Sequence, residues 1–243
     1  MRALITGANS HVNKVLLQKL IDLGYDSVAH YHSDNALTAE LRKLDGVTLL
    51  QGNLDTKEGV EKFIADAKAA GPFDVIVNAT ACFMEGSGTD AQKAYDTWQT
   101  VFSVDTIAAG LIMADADTLV NDDGVIVNIS SIMGLSNFGS PQLTIYSACK
   151  AALDSLTATY AKRWAPRIRI TGIAPAYIRS AWNKDMDAAT HAYLLRDHLT
   201  QRFVEPEEIA DLMETVIKNP SINATTIAID GGYSAPPIPA KAA

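Results

Sequence analysis

The 243 residues are 48% hydrophobic and 20% charged, with ordinary glycine and proline content, enough to bury a full core as one large or two small domains. A net charge of -8 excludes the basic footprint of a nucleic-acid-binding chain, and no block of like charges marks an interaction tail. No apolar run approaches membrane-spanning length and Met1-Arg2 leads straight into a strand pattern, so a small-molecule partner, no membrane partner and a cytoplasmic location are expected. Cys82 and Cys149 lack metal-ligand spacing, and no disulfide is expected in a reducing compartment.

In chain order, apolar β-branched runs alternate with helical patterns. "ALIT" precedes a helix at 14–23, "SVAHYH" one at 36–44, "VTLLQ" one at 56–69 and "FDVIVNA" a long helical stretch from about 90 to 120. "GVIVNIS" then precedes a helix from about 142 to 165, "IRITGIA" one at 205–218, and "TTIAID" closes the series. The runs lack polar alternation, which predicts strands buried on both faces. The order predicts an α/β chain: a single Rossmann-type domain over 1–243, a doubly wound parallel sheet of about seven strands with helices on both faces. Pro166 ends the helix that reaches Trp164, Pro206 opens another in "EPEEIADLM", and "SAPPIPAKAA" at about 234–243 reads as an extended tail.

"TGANSHVN", residues 6–13, is a glycine turn between a strand and a helix, the arrangement of a dinucleotide-binding loop. Gly7 supplies the tight turn, and Asn9, Ser10, His11 and Val12 lead into the helix N-terminus. His11 and Asn13 occupy the places of the second and third glycines of such loops. Asn13 is expected to take left-handed geometry, which asparagine tolerates, and His11 to point aside toward an adenosine ribose and any 2′-phosphate. "YSACK" puts Tyr146 and Lys150 one helical turn apart on one face. A phenol with a reference pKa of about 10 needs such a cation to exchange protons near neutrality. Ser130 and Ser131 end a buried strand at the carboxyl edge, where open α/β sheets bind ligands.

With these markers the chain resembles the short-chain dehydrogenase/reductase family from Met1 to about Tyr233. "VNATA" at 77–81, "IAPAYIRS" at 173–180 and "DGG" at 230–232 complete the pattern. The resemblance implies that Tyr146 is the general acid of carbonyl reduction, that Lys150 lowers its pKa and holds the nicotinamide ribose, and that Ser131 orients the substrate oxygen. Asp105, in "SVDTI", stands where the family has a proton-relay asparagine, and its charge is expected to couple to Lys150. Further cofactor contacts implied are Asn53 and Leu54 in "GNLDT", Asn78 and Ala79, and Pro175, Ala176, Ile178 and Ser180. Ala81 and Ala176 replace family glycines, and Ser180 replaces a threonine that bonds the carboxamide.

Family spacing puts Tyr31, followed by His32, where an NAD-reading enzyme carries an acid, so NADP(H) is favoured over NAD(H), with Asp34 able to swing toward the ribose. His30 and His32 share a strand face without a third ligand, and no metal is expected. "HYH", "VNATACF" and "TIYSACKAAL" also resemble pteridine reductases, but those carry aspartate where Ser131 stands. A ketone or 3-oxoacyl reductase is therefore expected first and a pteridine or dihydropteridine reductase second. A catalytically weak cofactor-sensing or scaffold protein comes third, and would show a damaged triad. A lid is expected at about 181–204, with Trp182, Met186, His191 and Tyr193 lining the pocket. The family also implies a homotetramer or dimer built on the helices at 90–120 and 142–165.

Overall fold

A computed structural model describes residues 1–84, 90–135, 138–180 and 183–235. The apolar runs form the strands β1 Arg2–Ile5, β2 Asp26–Tyr31, β3 Val47–Gln51, β4 Phe73–Asn78, β5 Val120–Ile129, β6 Arg169–Pro175 and β7 Thr226–Ile229. They pair in one parallel sheet of seven strands, ordered β3-β2-β1-β4-β5-β6-β7. The order reverses between β1 and β4, the crevice where open α/β sheets take their ligands. Among the described residues the α-helices are α1 His11–Asp22, α2 Ala36–Leu41, α3 Lys57–Ala70, α4 Ala91–Phe102, α5 Ala108–Ala114, α6 Ala116–Leu119, α7 Thr144–Trp164, α8 Ala188–Leu195 and α9 Pro206–Lys218.

Period-two side-chain direction sends successive strand residues to opposite faces. Ala3, Ile5, Val75, Val77, Val125 and Val127 pack with Leu16, Leu20, Ile209 and Met213 of α1 and α9. Leu4, Val28, Ile76, Ile126 and Ile170 pack with Phe63, Ile112 and Leu153 of α3, α5 and α7. Both faces are thus covered, which explains why the central strands read as continuous apolar runs. The expectation fails at the sheet edges: no residue of β3 or β7 is fully buried, because each edge strand has a neighbour on one side only.

Local chemistry sets the helix ends. The Ser10 side chain accepts the Asn13 N–H at the start of α1, Thr56 caps α3, and Pro206 opens α9 behind a Glu205–Glu208 capping box. The stretch expected as one helix from 90 to 120 is instead α4, a π-helical turn at Ser103–Ile107, α5 and, after Asp115, α6. A π turn leaves the chain helical on both sides, so a helical sequence pattern does not by itself reveal it. Among the described residues no helix is long and apolar enough to cross a membrane.

Candidate active site

The loop after β1 is shaped by Gly7, at φ +67°, where a Cβ would meet Thr80 Cγ2 at 3.2 Å and Asn13 Nδ2 at 3.3 Å. Asn13 corrects the expectation of left-handed backbone. It lies inside the first turn of α1, and its Nδ2 donates to the carbonyls of Gly7 and Ala79, both at 2.8 Å. The side chain fills the space a glycine would leave and ties the loop to the end of β4. Ala79 N–H donates to the Thr6 hydroxyl at 2.9 Å, a second tie between the same segments.

His30 belongs to this scaffold. It is 1% exposed, its Nδ1 accepts the Gly7 N–H at 3.1 Å, and its Nε2 faces the Gly52 carbonyl at 3.2 Å. Both ring nitrogens are therefore engaged by backbone, and burial lowers the imidazole pKa to about 4. Asn9 donates to Ser33 O at 2.8 Å and Thr38 Oγ1 at 3.0 Å, and Asn35 returns a bond to Asn9 O at 3.0 Å, locking the loop to the segment after β2. Between them lies an open cleft of about 440 Å³ lined by Asn9, Ser10, His11, Val12, Asn35, Ala36, Leu37 and Ser180. His11 is exposed at the first position of α1. Tyr31 is buried at the end of β2, and His32 follows it exposed. Asp34 does not turn to the cleft: it pairs with Arg42 at 2.6 Å.

Farther along the edge, Asn53 accepts the Asp55 N–H at 2.9 Å, and the buried Leu54 gives its carbonyl to the Ser103 hydroxyl at 2.7 Å. Asn78 donates to Asn128 Oδ1 at 2.8 Å, while its own Oδ1 is buried without a hydrogen-bond partner among the described residues. Pro175 ends β6, Ala176 N–H donates to Ile229 O at 3.2 Å, and Ile178 bridges to Val204. A glycine turn against a helix N-terminus, a cleft beside it and an unpaired acceptor at the sheet edge fit a dinucleotide.

At the other end of the crevice, Ser131 follows β5 in extended backbone and opens a 3-10 turn, Ile132–Gly134. A Cβ on Gly134 would stand 2.5 Å from the Lys150 carbonyl carbon, so the turn rests directly on α7. That contact puts the Ser131 hydroxyl beside the Tyr146 phenol. Lys150 is 1% exposed, with Nζ 5.4 Å from the Tyr146 ring centroid, 3.2 Å from Ile129 O and 3.5 Å from Asp105 Oδ2. Burial opposes the Lys150 ammonium, but Asp105 and Tyr146 outweigh it and hold its pKa above the usual lysine value. The Tyr146 pKa is raised. Burial is the largest cause, Lys150 and Ser131 act against it, and Asp105 acts with it. Lys150 thus acts in the expected downward direction without prevailing.

Sequence reasoning missed the aromatic surroundings. Phe83, 66% exposed, stacks on Tyr146 with ring centroids 4.5 Å apart, and Tyr177 and Tyr233 pack around Tyr146 and Met133. Of the expected pocket residues, His191 packs against Phe203 at 5.0 Å, Tyr193 is exposed beneath the Arg196 guanidinium, and Met186 is half-buried. Trp182 lies outside the described residues, as does the tail from 236 to 243. Cys82 and Cys149 are free thiols.

A family model described as enoyl-(acyl carrier protein) reductase matches residues 14–234. The chain belongs to the short-chain dehydrogenase/reductase family. It is 25% identical to dihydromonapterin reductase of Enterobacter sp. (strain 638) over 235 residues, 94% of this chain and 95% of that protein. It is 29% identical to L-xylulose reductase of Bos taurus over 243 residues, 96% of each. In fold it is similar to 4-hydroxyisoleucine dehydrogenase complexed with NADH, with TM-score 0.84, 20% identity and coverage of 98% and 100%. A blue fluorescent protein from a metagenomic library, in complex with NADPH, is equally similar, with TM-score 0.85, 21% identity and coverage of 96% and 98%. This short-chain dehydrogenase/reductase is an NAD(P)-dependent oxidoreductase.

Proposed function

We propose that this short-chain dehydrogenase/reductase reduces a ketone or 3-oxoacyl carbonyl to an alcohol, with NADP(H) preferred to NAD(H) and Tyr146 as general acid. The observation that carries the reading is the convergence of Ser131, Tyr146 and the buried Lys150 at the carboxyl edge of the sheet. A nicotinamide, when bound, supplies the hydride. Gly7, Asn9, Ser10, His11 and Val12 would hold the phosphates at the α1 N-terminus, Tyr31 and His32 the adenosine ribose, and Asn53 and Leu54 the adenine. Asn78, Ala79, Pro175, Ala176, Ile178 and Ser180 would hold the nicotinamide half, with Tyr146 and Lys150 on its ribose.

As negative charge develops on the carbonyl oxygen, Tyr146 gives that oxygen its proton and Ser131 donates a hydrogen bond to it. Lys150 keeps a positive charge within reach of the phenolate that remains. The pairing of Asp34 with Arg42 supports NADP(H), because it draws the one nearby acid of that segment away from a 2′-phosphate. Segment 181–204, tied back by the Ile178–Val204 bridge, would act as the lid. The exposed Tyr95, Trp98, Ile107 and Leu111 on α4, the π turn and α5 suit contact with a second copy of the chain. The acidic composition with two free thiols suits a cytoplasmic location.

A second reading, reduction of a pterin, is favoured by Phe83, whose exposed planar ring stands over the acid. A panel of ketones, 3-oxoacyl thioesters and dihydropterins with NADPH, followed at the nicotinamide absorbance, separates the two. Ketone turnover that falls by about 10²-fold or more in Tyr146→Phe, with NADPH binding by calorimetry kept within a few fold, is the expected result. Substantial residual turnover in that variant removes Tyr146 from the acid role. Efficient dihydropterin reduction with idle ketones reverses the ranking.

A further inference from the structure

The π turn Ser103–Ile107 directs Asp105 inward, where Oδ1 accepts the Cys82 N–H at 2.7 Å and Oδ2 faces Lys150 Nζ at 3.5 Å. The two side chains are 0% and 2% exposed. Among the described residues Lys150 otherwise meets carbonyl oxygens, Ile129 at 3.2 Å and Thr80 at 3.5 Å. Asp105 is therefore, among the described residues, the carboxylate paired with the ammonium. We propose that Asp105 is a positioning residue that sets the charge of the proton-transfer group. By forming a net-neutral pair with Lys150, it keeps Tyr146 in its proton-donating form to higher pH than a lone ammonium would allow. The proposal rests on the reading of Tyr146 as the general acid.

The titratable groups around the phenol come from several segments, including Tyr177 after β6 and Tyr233 after β7, whose phenols burial keeps protonated. Lys150 and Cys149 lie on α7, Asp105 on the π turn and Ser131 on the turn after β5. Cys82, on the segment after β4, faces Asp105, and Asp154 on α7 faces Lys150 from a bond to Thr226. Cys149 carries no charge near neutrality, since burial pushes its thiol up to about 12. Of the charges near the phenol, Lys150 favours its deprotonation and Asp105 opposes it. Burial raises the Asp105 carboxyl pKa, and the Lys150 ammonium and the Cys82 N–H act against it; with its carboxylate 3.5 Å from the ammonium, the two opposite charges partly cancel at the phenol.

The test is Asp105→Asn, which is isosteric, retains an acceptor for the Cys82 N–H and removes only the charge. In cofactor-free protein, the phenolate absorbance of Tyr146 is isolated by subtracting the titration of Tyr146→Phe in the same background. The midpoint should fall by about one pH unit or more in Asp105→Asn. Asp105→Ala, which abandons the Cys82 bond as well, should shift it equally. With substrate and NADPH, the alkaline limb of kcat/KM for reduction should move down by the same amount. A midpoint that stays or rises in folded Asp105→Asn, or that moves only in Asp105→Ala, overturns the proposal. If Tyr146→Phe keeps its turnover, the acid assignment fails instead, and the absorbance titration still reports what Asp105 does to the phenol.

Discussion

The imidazole of His30 bridges Gly7 and Gly52, accepting the Gly7 N–H at Nδ1 over 3.1 Å and meeting the Gly52 carbonyl at Nε2 over 3.2 Å. Protonation would set a donor against the Gly7 N–H and place a charge beside the Phe63 ring. Burial holds the folded pKa at about 4, below the ordinary 6.5, so the unfolded chain takes up its proton first as the pH falls. This contribution to stability is complete above about pH 6.5 and is lost between there and about pH 4, in total about 3 kcal/mol. Urea denaturation across that window should show the loss. His30→Gln, which can bond both backbone groups without titrating, should flatten it; an equal slope in the variant would assign the loss to other groups.

Gly134→Ala should damage the site from a distance. Its Cβ would stand 2.5 Å from the Lys150 carbonyl carbon and 2.7 Å from Ala151 N, and backbone inside α7 cannot give way. The turn carrying Ser131 must move instead, at about 1–3 kcal/mol of strain. Turnover at least as low as in Ser131→Ala, with a lower urea midpoint, is the expected outcome. Wild-type kinetics would contradict the close approach.

Asn13→Gly restores a glycine at the third position of the loop pattern, yet it should weaken the protein. It deletes two bonds of 2.8 Å, to the part-buried Gly7 O and the buried Ala79 O, and leaving the buried carbonyl unpaired costs about 1–3 kcal/mol. The melting temperature and the NADPH affinity should both fall. Tighter cofactor binding in this variant would mean that Asn13 obstructs the loop.

His11 is exposed at the mouth of the cleft, and the proposed preference for NADP(H) is tested there, on the reading that its side chain reaches the 2′-phosphate. His11→Gln should weaken NADPH binding several-fold while NADH is nearly unchanged, and His11→Arg should tighten NADPH. A charge-assisted hydrogen bond is worth about 1.5–3 kcal/mol, less when solvent-exposed. Calorimetry with both cofactors decides: parallel changes would show that His11 does not discriminate them.

Some of this architecture can be read directly from residue order because its physics is local. Seven apolar runs, separated by helical patterns and lacking polar alternation, suffice for a doubly wound parallel sheet covered on both faces. Tyr146 and Lys150 share a face by helical geometry alone, and Gly7 at φ +67° answers a turn that asks for glycine.

Folding settled what depends on distant partners. Asn13 read as a backbone accommodation and is a side-chain tie, because its acceptor Ala79 lies 66 residues away. His30 gains its role from Gly7 and Gly52, and Phe83 its place from the tyrosine it covers. The coupling of Asp105 to Lys150, expected from the family resemblance, is met at 3.5 Å, but the helical pattern does not reveal the π turn that carries Asp105. Short-range order thus determines which elements form and which residues share a face. The partner of each buried polar group, and with it the charge around Tyr146, is set by packing between segments far apart in the chain.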